Sequence, residues 1–355
     1  MSNTSRFPEG TAARTLSSHA PGVPLFLASF AAWRATHDPA SRRGLPPEAA
    51  SAIVKLSVRT VEGARTAHTL GAEREGTGIV IDAGEAADAT LILTIGYLII
   101  EAESILVLTH DNRMLSASVV GFDHATGFGL LRAAGRLTEH PLPLGDSRTV
   151  PLMQPVYFLA HEGAGGGSAA AIVSRREFVG YWEYMLDEAL FTVPGRAEHS
   201  GAALVDGAGR LIGVASLWVG DALDQGTALP GNMFVPIELL TPLLDDLIAT
   251  GRARESARPW LGLYTAEHEN KVVVAHVMDG SPAERVGIRE GDVIVAVAAD
   301  TVSSAREFYE RLWACGPAGT KVRLRVLRGR LVLDALVASI DRIEFFRPWT
   351  VRRSR

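Results

Sequence analysis

Ala197-Glu198-His199-Ser200-Gly201-Ala202-Ala203-Leu204-Val205-Asp206, followed by Gly209-Arg210-Leu211-Ile212-Gly213-Val214, is the stretch on which the reading of this chain turns. A serine beside a glycine, then small residues and two short β-rich runs, describes a turn that presents a hydroxyl between strands. On its own, Ser-Gly in a turn is usually only a turn. The order of the segments on either side gives it weight.

The chain has 355 residues, which exceeds one ordinary core and makes two domains the default. Its composition, 47% hydrophobic and 21% charged, is that of a folded globular protein. A net charge of -5 without a basic stripe gives no electrostatic case for nucleic acid. Cys315 is the only cysteine, so no intrachain disulfide or cysteine-rich metal site can form, and no ligand spacing suggests a metal or other cofactor.

The apolar run Ala89–Ile100 is too short to cross a bilayer and reads as buried strand, so no transmembrane segment is expected. Val23–Trp33 is apolar enough for a signal-peptide core, yet it starts late, after Glu9 and Pro21. It also lacks a small-x-small cleavage site before Arg34. On that ground the cytoplasm is expected and the periplasm is the alternative.

Five stretches follow from the composition. Residues 1–46, rich in Pro, Ser, Ala and Arg, form an N-terminal arm with one apolar patch. From 47 to 251 the pattern is short β runs punctuated by Gly and Asp: Ala52–Val58, Gly76–Asp82, Leu91–Thr94, Ile105–Leu108 and Ser116–Asp123. Many strands at short spacing predict a sandwich or barrel. An amphipathic helix over Thr241–Gly251 closes this part. Residues 252–259 are a polar linker, 260–342 a second unit, and 343–355 a tail with aromatics and four arginines. That tail either packs its aromatics on the second unit or docks an acidic partner.

The segment order resembles that of HtrA/Deg-type, trypsin-like serine proteases. Gly76-Thr77-Gly78-Ile79-Val80-Ile81-Asp82 is similar to the family's Gly-Ser-Gly-Val-Ile-Ile-Asp, and Leu142-Pro143-Leu144-Gly145-Asp146-Ser147 is a verbatim family string. Val119–Asp123, Ala171–Ser174 and Phe234–Ile237 continue the series, and the serine stretch resembles Gly-Asn-Ser-Gly-Gly-Pro-Leu. Trp260-Leu261-Gly262-Leu263, Ser281-Pro282-Ala283-Glu284 and Gly291-Asp292-Val293-Ile294 resemble an HtrA-type PDZ domain. The resemblance spans roughly residues 48 to 342. It implies a mostly β fold: a trypsin-like double β-barrel with a cleft between barrels, followed by a small α+β PDZ domain. It also implies a homo-oligomer, such as a trimer built through apolar N-terminal residues, or a subunit of a larger complex.

Acyl transfer by serine needs a base, a carboxylate that orients the base, and donors for the oxyanion. Laid on the family strings, this chain keeps Ser200 but places Tyr97 where the base histidine belongs, in Leu93-Thr94-Ile95-Gly96-Tyr97-Leu98-Ile99. Gly127 stands in the aspartate slot, in Thr126-Gly127-Phe128-Gly129-Leu130-Leu131. Glu198 takes the oxyanion-hole glycine, bringing a carboxylate of the wrong sign. A phenol with a solution pKa near 10 accepts protons poorly at neutral pH. His199 and His124 lie near these slots in sequence, but a surface or capping role is the plain reading of each of the ten histidines. His161 precedes the glycine-rich loop Gly163–Ser168, which lacks the Gly-Lys-Ser/Thr of a phosphate loop and reads as a flexible hairpin loop.

The PDZ strings are better kept. Trp260, Leu261, Gly262 and Leu263 match the loop whose amides capture a peptide's C-terminal carboxylate, with the following strand pairing by β-augmentation. A PDZ fold used only for packing is the plainer reading of the same residues. The expected function is therefore a catalytically inactive homologue that binds peptides or protein C-termini as a scaffold, adaptor or regulatory subunit. The alternative is an active serine endopeptidase or hydrolase using Ser200 with a non-standard base.

Overall fold

The computed structural model describes residues 45–346 apart from 85–88, 162–166, 227 and 256. Most of the N-terminal arm, the glycine-rich loop after His161 and the tail from 347 lie outside the described residues. The fold is mostly β. One compact unit takes Val179–Met185 and Ser256–Phe345, and the rest of the described chain forms the other.

The larger unit holds two closed six-stranded barrels. The first comprises β1 (Ile53–Thr60), β2 (Glu73–Val80), β3 (Leu91–Ile95), β4 (Ala102–Leu108), β5 (Met114–Phe122) and β6 (Phe128–Ala133). The second comprises β7 (Pro155–Leu159), β8 (Gly167–Gly180), β9 (Tyr184–Val193), β10 (Ala203–Val205), β11 (Leu211–Val219) and β12 (Gly231–Pro236). Alternation in β1 sends Val54, Leu56 and Val58 inward. The second barrel is filled by Val156, Phe158, Ile172, Leu190, Leu204, Ile212 and Phe234 around Ala170, Ala202 and Ala215. Those alanines leave room for Phe158 and Phe234 to meet edge to face at 6.0 Å.

Leu142–Ser147 joins the barrels. Leu142 bridges Ile81 at the end of β2, and Leu144 bridges Leu211 in β11. Asp146 then caps a short turn by accepting from the Arg148 amide at 2.9 Å. The string thus serves a connector that pairs with a strand on each side.

Ala89–Ile100, expected as one buried strand, divides. β3 ends at Ile95 and a single helical turn, Gly96–Ile99, follows. The Gly96 amide leaves the ladder to donate to the Gly127 carbonyl at 2.7 Å. The carbonyls of Tyr97 and Ile100 are taken by the buried Arg74 guanidinium at 2.7 and 2.9 Å.

The smaller unit is a sheet ordered β13 (Leu263–His268), β14 (Lys271–Val277), β15 (Val293–Val297), β17 (Lys321–Arg328) and β18 (Leu331–Ala338), with β16 (Asp300–Thr301) on β15. Helix Ala305–Ala314 buries Phe308, Tyr309 and Leu312 against it, each worth roughly 1.5–3 kcal/mol of burial. Ser281-Pro282-Ala283-Glu284 is a capping box. The Ser281 hydroxyl accepts from the Glu284 amide at 3.2 Å, and the Glu284 carboxylate reaches back to the Gly280 amide at 2.6 Å. In Gly291-Asp292-Val293-Ile294, Asp292 receives both arms of Arg328 at 2.7 Å as β15 begins.

Candidate functional site

Ser200 sits in a turn before β10, tied to the first barrel because its carbonyl accepts from the Thr77 amide at 2.8 Å. Gly201 takes φ +77, and a Cβ there would run into the Thr77 carbonyl. Only glycine therefore follows the serine without displacing β2. Asn232 of β12 holds the chain ahead of the turn, accepting from the Arg196 amide at 2.7 Å and donating to its carbonyl at 2.9 Å. Ser200 opens on a cavity of about 220 Å³ lined by Glu75, Gly76, His161, Ala197 and Glu198.

Tyr97 reaches the serine. Its phenol donates to the Ser216 carbonyl at 2.9 Å, and burial pushes its pKa up to about 12, partly offset by a hydrogen bond with the Ser200 side chain. Gly127 lies under the same turn at φ +85 and offers only a backbone carbonyl to Gly96. The nearby Asp123 carboxylate is committed to its own loop, accepting from the Thr126 amide and hydroxyl, both at 2.7 Å. Glu198 is exposed at the cavity wall.

The histidines divide. His199 shares a 2.9 Å hydrogen bond with the Ala197 carbonyl, and burial holds its pKa below the usual imidazole range. His124 lies edge-on to Phe122 at 4.5 Å. His161 is the one that lines the Ser200 cavity, with Nδ1 3.0 Å from the Thr77 hydroxyl. Its sequence neighbours, a glycine loop, gave no sign of this. Thr77 could have been found, since its slot belongs to the Gly-Ser-Gly string. Arg74, which fixes the backbone of Tyr97, could not.

In the smaller unit the loop Trp260–Leu263 presents its amides to a carboxylate, and that carboxylate belongs to Glu183. Gly262 and Leu263 donate to Oε1 at 2.7 and 2.9 Å, and Leu261 to Oε2 at 3.1 Å. Trp260 faces away, its ring 4.7 Å from Phe345. Burial pushes the Glu183 carboxyl up to about 7 against the opposing pull of those amides and of Arg342.

Among the described residues no helix is long and apolar enough to cross a membrane. No group of three or more His, Cys, Asp or Glu there is placed to hold a metal.

Barrels and sheet carry two known domain types: residues 76–214 match the trypsin-like peptidase domain and 259–338 the PDZ domain. The chain is 27% identical over 308 residues to serine endoprotease DegS of Salmonella typhimurium, covering 82% of this chain and 83% of that one. Against DegS of Haemophilus influenzae it is 27% identical over 248 residues, 67% and 70% of the two chains. Among solved structures it resembles a variant of the HtrA-type protease AlgW with tripeptide. That match has a TM-score of 0.51 and 21% identity, over 85% of this chain and 95% of the other. A serine endoprotease from Yersinia pestis aligns with a TM-score of 0.50 and 23% identity, over 85% and 98%. Membership of the HtrA family is supported by the two domains together with these relatives.

Proposed function

We propose that this HtrA-family protein is catalytically inactive and acts by holding polypeptide, as a scaffold, adaptor or regulatory subunit. The observation that carries the reading is the Tyr97 phenol beside Ser200, which gives its proton to the Ser216 carbonyl. A phenol near 12 stays protonated at neutral pH, so it cannot take the serine proton. Gly127 has no carboxylate to orient any base, and Glu198 adds negative charge where an oxyanion would form. Losing the orienter alone costs about 10⁴-fold in the worked triad. The cavity beside Ser200 is open to a ligand. The relatives' names, serine endoprotease and, for DegQ of Escherichia coli, periplasmic, suggest polypeptide as the ligand class and the periplasm as a compartment to test.

A second reading rests on His161, which shares the Ser200 cavity: a serine hydrolase whose base comes from the second barrel. A fluorophosphonate probe separates them. No labelling at Ser200, and no cleavage of unfolded casein, is expected. Stoichiometric labelling that Ser200→Ala and His161→Ala both abolish would establish the hydrolase instead.

A further inference from the structure

The Glu183 carboxylate is held by the loop that matches the peptide-carboxylate site, and the surrounding geometry copies a bound peptide. Residues Tyr181-Trp182-Glu183 form the turn between β8 and β9. Two residues before Glu183, the Tyr181 carbonyl accepts from the Thr265 amide at 2.9 Å. Thr265 lies on β13, the edge strand of the sheet, so the turn meets through one backbone bond the edge at which β-augmenting peptides pair. Tyr309 of the helix clasps it from the other side. Its hydroxyl donates to the Gly180 carbonyl at 2.9 Å and accepts from the Glu183 amide at 3.2 Å. Arg342 donates to the Trp182 carbonyl at 3.3 Å.

The backbone at this point is costly. Glu183 takes φ +57, the left-handed position that three-residue hairpin loops ordinarily give to glycine. A buried acid in a strained conformation persists only where its surroundings hold it. Three amide donors and the Tyr309 clasp supply that hold.

We infer that Glu183 is a built-in ligand of the PDZ carboxylate loop, so that a free C-terminal carboxylate enters only by displacing residues 181–183. The inference concerns the PDZ groove and stands whether or not Ser200 reacts.

The test uses the full chain and Glu183→Gly. This substitution removes the carboxylate while giving the turn the residue it favours, so the hairpin keeps its conformation. The probe is a fluorescent pool of random heptapeptides with free C-termini, measured beside the same pool amidated at the C-terminus. Glu183→Gly is expected to bind the free-acid pool at least tenfold more tightly than the unaltered chain, and the amidated pool no better. Amide exchange at Gly262 and Leu263 is expected to speed up at least tenfold. Glu183→Gln, which keeps the side-chain size, is measured in the same way should the glycine variant fail to fold. Equal binding by variant and unaltered chain, binding by neither, or unchanged exchange at both amides overturns the inference. Fluorophosphonate labelling of the same samples reports on Ser200 alone, so the two readings fail separately.

Discussion

The amide of Gly96 donates to the carbonyl of Gly127 at 2.7 Å. This one contact ties the turn that carries Tyr97 to the turn that carries the aspartate slot. It also sets how far either slot can be refilled, because the Gly127 backbone is held at φ +85.

Gly127→Ala is therefore expected to cost about 1–2 kcal/mol, the strain of an L side chain in the left-handed region. Urea unfolding reads this directly. Tyr97→His combined with Gly127→Asp is expected to restore no casein cleavage, since the new carboxylate would start from a backbone that the Gly96 contact keeps turned. Cleavage by the double variant would mean that the slots are refillable and that the inactivity lies elsewhere.

Tyr97→Phe removes the phenol's hydrogen bonds with the Ser216 carbonyl and the Ser200 side chain and leaves that carbonyl without this donor, a loss of about 1–3 kcal/mol. The same phenol should be silent in an ultraviolet titration. The difference spectrum between the chain and Tyr97→Phe is expected to show no phenolate below pH 11, given a pKa near 12. A phenolate signal at pH 9 to 10 would contradict its burial and revive it as a proton acceptor.

Arg74 donates to the Gly71, Tyr97 and Ile100 carbonyls and to the Thr66 hydroxyl, at 2.6 to 3.0 Å. Burial holds its pKa down at about 10, against the pull of Glu101. Arg74→Met keeps the volume and strands buried acceptors at a cost of at least about 3 kcal/mol, summing penalties of roughly 1–3 kcal/mol per group. A loss below 1 kcal/mol in urea unfolding would show that water replaces the guanidinium.

The barrels were legible because strand strings such as Gly76–Asp82 and Leu142–Ser147 do local work that any member of the fold must do: pairing, capping and turning. The PDZ strings were legible for the same reason, the Ser281–Glu284 capping box above all. The contents of the serine site could be read as slots, but not the cavity wall. His161 arrives from the loop after β7 in the same barrel, and a sequence separation of 39 residues from Ser200 carries no period to detect. The occupant of the carboxylate loop was equally hidden. Glu183 acts through a positive φ and a side chain crossing to residues 261–263, neither of which leaves a composition signal. Its one trace is a hairpin tip, Tyr181-Trp182-Glu183, with two aromatics and an acid where turns favour Gly or Asn.

Glu183 also sets a pH dependence whose sign follows from its burial. The carboxyl titrates at 4.5 when free and about 7 when docked, so the folded state binds the proton more tightly. The groups that face it are Arg342, which lowers that value, and the phenols of Tyr309 and Tyr264, which stay neutral over this range. Stability from this source is fully present below pH 4.5, falls as pH rises toward 7, and is flat above. The total change is about 3.5 kcal/mol, at roughly 1.4 kcal/mol per pH unit. Glu183→Gln resembles the protonated carboxyl and does not titrate. The unaltered chain should match it near pH 4.5 and fall progressively behind it up to pH 7, read as urea midpoints across that range. A gap that stays constant, or that turns in favour of glutamate as pH rises, would show that the three amides outweigh burial. The docked carboxylate would then be the stable form throughout.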